Sequence, residues 1–242
     1  MRISFQSAYI LHSRPYRDTS ALLEVFTREH GRIGLVARGA RGPKSKLRSV
    51  LQPFQPVLLS WLARGDLGTL IDAEPQGVTQ ALTGRALLSG YYLNELLQRL
   101  THRHDPHPVL YDAYQEAMTG LSDISQTERV LRLFEKRLLR ELGYGLVLDH
   151  DVVSGAPLDA AALYNYHLER GPVFTEDAAM RGLVLHGGSL LSLDRDDLVE
   201  ERSLRESKRL MRAVLALYLG DKPLKSRELF RQMSAAPRIA VQ

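Results

Sequence analysis

From Phe5 to about Glu74 apolar and polar residues alternate in short runs broken by closely spaced turn residues, which is the signature of β-strands half-buried against a core. The runs predict strands at 7–11, 21–26, 32–37, 57–62 and 69–73. Ser13-Arg14-Pro15, Glu29-His30-Gly31 and Gly65-Asp66 mark the turns between them. Five short strands in so small a segment predict a closed five-stranded barrel of the OB-fold type, with a sandwich fragment as the alternative.

Near Thr79 the period changes from two to between three and four. Leu87, Leu88, Tyr91, Tyr92, Leu96 and Leu97 then lie on one helical face, and further helices are predicted at 109–121, 127–142, 203–219 and 223–232. His102 to Pro108, with two prolines, ends the first of these helices, and Gly143 and Gly220 follow two others. Residues 145–200 show only weak runs, such as 182–186, and predict no definite element.

Composition narrows the chemistry. The 242 residues are 44% hydrophobic and 25% charged, with no cysteine, so disulfides, thiolate catalysis and cysteine-built zinc or iron–sulfur sites are excluded. The first residues alternate and do not form an apolar block, which predicts neither a signal peptide nor a membrane span, and a cytoplasmic setting. The net charge of +4 is unevenly spread. Residues 1–80 carry eleven Lys/Arg against six Asp/Glu, residues 81–201 eleven against nineteen, and residues 202–242 ten against three. Two basic ends around an acidic middle point to a polyanionic partner.

The densest basic segment follows the third predicted strand: Arg38, Arg41, Lys44, Lys46 and Arg48 with Gly39 and Gly42, and no acid among them. A phosphate-binding loop for nucleotide hydrolysis requires GxxxxGK[ST], and here Pro43 separates Gly42 from Lys44, so that chemistry is not predicted. Guanidinium and ammonium groups on a glycine-rich loop can instead follow a sugar–phosphate backbone. Arg14, Arg17 and Arg32 extend the candidate surface. Single-strand binders add aromatic platforms, and of Phe5, Tyr9, Tyr16, Phe26, Phe54 and Trp61 about half must face the core, which leaves Tyr16, between Arg14 and Arg17, as the favoured stacking residue.

Two histidine-containing segments carry less. His102, His104, His107 and Asp105 lack the three-or-four spacing of ligands on one helix face, and Asp149-His150-Asp151 has no matching nucleophile, so neither a metal nor a catalytic site is predicted. On the helix at 127–142, Arg129, Arg132, Lys136 and Arg140 form a basic stripe beside Leu133 and other apolar residues. Such a groove suits a short acidic peptide with an apolar tip.

Taken together, the segments at 8–20, 25–32, 35–41 and 51–56, then 92–97, 134–143 and 223–230, resemble in order and spacing the bacterial RecO family of recombination mediators. The resemblance implies an α+β multidomain protein: an OB-fold domain at 1–80, a mostly α-helical domain at 81–144 plus 202–234, and a small C-terminal lobe at 145–201. It also implies binding of single- and double-stranded DNA, annealing of strands coated with single-strand-binding protein, and docking on that protein's C-terminal tail. Further implications are a complex with RecR, indirect action on RecA, a nucleoid-associated location, a monomer when alone, and no catalytic residue or cofactor. Many members carry a cysteine-based zinc site in the lobe; this chain has no cysteine there, so no metal is carried over. A competing class is an OB-fold interaction scaffold that does not touch DNA.

Overall fold

The computed structural model describes residues 1–77 and 81–235. The predicted change of period at Thr79, and the domain boundary placed at 80, lie outside the described residues. The chain forms two compact units, one from Met1–Ile124 together with the segment that begins at Pro223, the other from Ser125–Lys222.

The first unit is built on a closed barrel of β1 (Arg2–Tyr16), β2 (Ser20–Thr27), β3 (Gly31–Ala37), β5 (Leu67–Pro75) and β4 (Pro56–Leu62), in that order around the ring. The β3–β5 pair is parallel and the others antiparallel. This is the five-stranded OB topology that the strand count predicted. Alternation sends Ile10, Leu23, Val25, Leu35, Leu59 and Trp61 inward, where they are nearly inaccessible to solvent. Between β3 and β4 the short helix α1 (Leu47–Val50) closes one end of the barrel, with Leu47, Val50 and Leu51 packed on the interior cluster.

Three longer helices belong to the same unit: α2 (Gly84–Leu100), α3 (Pro108–Gly120) and α7 (Lys225–Ala235). Tyr9 and Phe26, on the outer face of β1 and β2, are covered by Tyr111 and Tyr114 of α3, with ring centroids 4.9 to 6.3 Å apart. Burial pushes the Tyr9 phenol up to about 12. Buried Asn94 of α2 donates to the Leu11 carbonyl at 2.9 Å and accepts from the Tyr114 hydroxyl at 2.5 Å, joining two helices to one strand. Gly31 sits against the 101–107 connection so closely that a β-carbon would come within 2.1 Å of the Asp105 carbonyl oxygen.

The second unit contains α4 (Thr127–Glu141), a sheet of order β7 (Gly171–Thr175), β6 (Leu163–His167), β8 (Val184–His186), and helices α5 (Gly187–Asp194) and α6 (Glu201–Leu219). The segment at 145–200 that predicted no element thus holds three strands and a helix. Buried Asp151 organises its start: Oδ1 accepts from the backbone N–H groups of Val153 and Ser154 at 2.8 and 2.7 Å, and Oδ2 from that of Phe174 at 2.6 Å. Those bonds hold its carboxyl at about 2, below the usual aspartate range.

The helices expected to form one domain are divided, α2, α3 and α7 going with the barrel and α4 and α6 with the three-stranded sheet.

Candidate nucleic-acid interface

The basic loop and the first hairpin meet at one end of the barrel. Antiparallel pairing sets Tyr16 opposite Ser20 and Ala21 opposite Ala37, so the β1–β2 turn and the exit of β3 share that end. The loop is then tied to the turn: the Arg41 backbone N–H donates to the Thr19 carbonyl at 2.8 Å, and its guanidinium to the carbonyls of Arg17 and Asp18 at 3.3 and 3.5 Å. Buried Ala40 anchors the loop from below, and left-handed Gly39 (φ 66°) and a Gly42 N–H bond to the Gly39 carbonyl give it its reversal. A glycine-rich, basic segment is therefore held as an ordered loop.

The side chains of Arg14, Arg17, Arg38, Arg41, Lys44, Lys46 and Arg48 are solvent-exposed at or near this end, and among the described residues none has a carboxylate within ion-pair distance. Elsewhere on the barrel Arg28 and Arg32 are neutralised, while Arg2 and Arg64 are exposed without an ion pair among the described residues. Arg28 makes a two-pronged pair with Asp112 at 3.0 and 2.9 Å, which holds that carboxyl below its usual range. Arg32 corrects one expectation: it is largely covered, 2.5 Å from Glu24, and donates to the Thr101 carbonyl, while Arg103 binds the other Glu24 oxygen at 2.6 Å. It belongs to a structural ion-pair cluster, not to the exposed basic surface. The signal lay in the pairing register, which brings β2 and β3 side chains together and is not visible in a list of basic residues.

The aromatic residues separate just as clearly. Tyr9, Phe26, Phe54 and Trp61 are buried, and Phe5 is exposed near the start of β1. Tyr16 stands at the hairpin tip, half-buried, with the Arg17 guanidinium 5.3 Å from its ring centroid. That contact is of cation–π type and covers one ring face.

The stripe on α4 is also redrawn. Arg132 is 4% exposed and pairs at 2.7 Å with Glu135, which is fully buried, so the structure corrects its assignment to an open peptide groove. Arg129 donates to the Asp196 carbonyl at 2.8 Å, and the Lys136 ammonium to the carbonyls of Leu193 and Asp194 while pairing with the Asp196 carboxylate. Lys136 thus binds the last carbonyls of α5, where the helix dipole favours positive charge, and Arg129 the Asp196 carbonyl just beyond that helix. Leu133 is half-buried and Arg140 exposed. The buried face takes in Leu131, Arg132, Glu135 and Leu139, and the three-residue spacing of Arg132 and Glu135 beside those leucines was the available sign of it.

Among the described residues no group of three metal-ligating side chains occurs, and no helix is long and apolar enough to cross a membrane. His150 contacts Asp149, and His107 lies near Asp105.

Two family models match the chain: recombination protein O N terminal over residues 1–78, and recombination protein O C terminal over 82–228. Curated relatives similar to it include proteins named DNA repair protein RecO from Nitrosococcus oceani, 48% identical over 96% of this chain and 95% of the relative, and from Alkalilimnicola ehrlichii, 48% identical over 99% and 95%. The protein of that name from Haemophilus influenzae is 43% identical over 96% and 98%.

Proposed function

This chain belongs to the recombination protein O family, whose role is in DNA repair and recombination, and we propose that it acts as a non-enzymatic mediator that holds DNA strands through the basic end of its barrel. The observation that carries this reading is the clustering of charge: seven exposed cations without carboxylate partners among the described residues collect at or near one end, on the first hairpin, the ordered loop and α1, whereas elsewhere on the barrel Arg28 and Arg32 are neutralised and only Arg2 and Arg64 are exposed and unpaired among the described residues. Cations so placed exchange places with the counterions condensed on a polynucleotide, which favours binding irrespective of base sequence.

Annealing follows from the same physics. Two strands repel through their phosphates, a polycationic surface lowers that repulsion, and base pairing supplies the remaining free energy without nucleotide hydrolysis. Binding of single- and double-stranded DNA, annealing of strands coated with single-strand-binding protein, contact with that protein's acidic C-terminal tail, and loading of RecA together with RecR make up this proposal. It places the protein in the cytoplasm with the nucleoid. For the tail, exposed Arg140 beside Leu133 is what α4 offers.

The test is the salt dependence of oligonucleotide binding, followed by fluorescence anisotropy. With about five phosphates neutralised on a single strand the logarithmic slope should be about −3.5. Replacing Arg38, Arg41, Lys44 and Lys46 by alanine should flatten it and weaken binding to all sequences alike. An unchanged slope rejects the loop as the interface, and no binding by the unmodified protein at low salt favours the scaffold reading.

A further inference from the structure

We propose that Tyr91 of α2 is a base-stacking platform for single-stranded polynucleotide, lying between the basic loop of the barrel and the basic start of α7. The inference rests on the proposed DNA-binding role and names a residue of that site.

Phe54 follows α1 at the loop-bearing end of the barrel and is buried, with a left-handed backbone (φ 67°). Helix α2 approaches it at Gly90, where a β-carbon would come within 2.8 Å of the Phe54 ring. That close approach sets the next residue, Tyr91, against Phe54 in a T-shaped pair, with ring centroids 4.9 Å apart and planes 79° apart. The Phe54 contact supports the Tyr91 ring, while the residue stays 40% exposed. A partly exposed Tyr held by a buried aromatic neighbour offers ring surface on which a base can stack.

Its electrostatic surroundings match the same ligand. Arg48 lies six residues before Phe54, on α1. On the side of α7, Arg227 stands 6.0 Å from the ring of Tyr92, and Lys225 is exposed. The acid one turn along α2, Glu95, is already engaged, accepting from the backbone N–H groups of Lys225 and Ser226 and from the Ser226 hydroxyl at 2.7 to 2.9 Å. Arg48 on α1, and Lys225 and Arg227 on α7, which packs against α2, thus belong to the elements next to Tyr91 and supply positive charge for the phosphates of a strand whose base stacks there. At Tyr16 the Arg17 guanidinium already lies over the ring.

The experiment compares unmodified protein, Tyr91→Ala and Tyr91→Phe by fluorescence anisotropy with two labelled probes of equal length, oligothymidylate and an abasic oligonucleotide. Tyr91→Ala should lose about 5- to 100-fold in affinity for oligothymidylate. Its affinity for the abasic strand should not change, and Tyr91→Phe should bind both probes as the unmodified protein does. Equal affinity of Tyr91→Ala and unmodified protein for oligothymidylate overturns the proposal, as does an equal loss on both probes, which would mark a structural role. If the unmodified protein binds neither probe at low salt, the DNA-binding reading itself falls and this inference with it.

Discussion

Arg132 and Arg140 lie about two turns apart on α4 and meet opposite fates, one sealed in a pair with Glu135 and the other exposed. Breaking a buried pair strands a charge in low dielectric, which costs about 3–5 kcal/mol. Arg132→Glu is therefore expected to lower the urea midpoint of unfolding sharply, whereas Arg132→Met combined with Glu135→Leu should recover most of that loss. Arg140→Glu should leave the midpoint unchanged, and it is the substitution in which weaker capture of an acidic tail peptide can be read as loss of a contact. Asp151 gives a second measurement at this scale. Its carboxyl titrates at about 2 when folded and 3.8 otherwise, so its contribution is complete above pH 4–5 and drains away as the pH falls toward 2. The amount is about 2 kcal/mol at neutral pH. Asp151→Asn should thus destabilise the protein at pH 7, and urea midpoints of the two proteins should converge on acidification. A constant gap between them from pH 7 to pH 3 would contradict this account of the carboxylate.

At the scale of elements, what was legible followed from periodicity. The five barrel strands were readable because burial on one face writes itself as alternation, and α2, α3, α4 and α6 because their apolar faces repeat every three to four residues. The first strand runs from Arg2 to Tyr16, far beyond the predicted 7–11, because register shifts between Ile3 and Gln6 and between Ile10 and His12 break the alternation while the hydrogen bonding continues. The strands at 163–186 were opaque for another reason: three to five residues are too few to show a period, and their placement rests on distant side chains. Asp151 reaches Phe174, and the Asn165 side-chain oxygen accepts from Leu183 at 3.1 Å. Asn94 plays the comparable part on the barrel, and it offers a prediction about elements. Asn94→Ala would leave the Leu11 carbonyl and the Tyr114 hydroxyl without these partners in a dry interior, at a cost of about 3 kcal/mol. Urea denaturation should show that loss, and hydrogen exchange should show faster opening of α2 and β1 amides. A cost below about 1 kcal/mol would mean that water or a neighbouring group replaces the amide.

For the molecule as a whole, charge carried along the sequence is only half of the information; folding decides which of it is neutralised. The N-terminal basic end falls in one compact unit with four of the ten cations of the C-terminal end, and that unit holds eighteen Lys/Arg against twelve Asp/Glu; the other six, at 202–222, belong to the second unit, which holds fourteen against sixteen. The asymmetry was legible in the sequence, but not that Arg32, Arg129, Arg132 and Lys136 would be engaged in internal pairs and caps. The chain's six lysines make a test of this distribution, because each is a reporter of amine reactivity. Lys44 and Lys46 stand on the open loop, Lys136 and Lys208 are paired with Asp196 and Glu128, and Lys225 begins α7. Acetylation read by mass spectrometry, with and without saturating oligothymidylate, should show Lys44 and Lys46 protected by the strand. Lys136 and Lys208 should react slowly and equally in both states, since their ion pairs do not involve the ligand. Protection of Lys225 together with the loop lysines is expected if the strand crosses α2 at Tyr91. Protection that reaches Lys44 and Lys46 but leaves Lys225 as reactive as before would confine the strand to the barrel and remove α7 from its path.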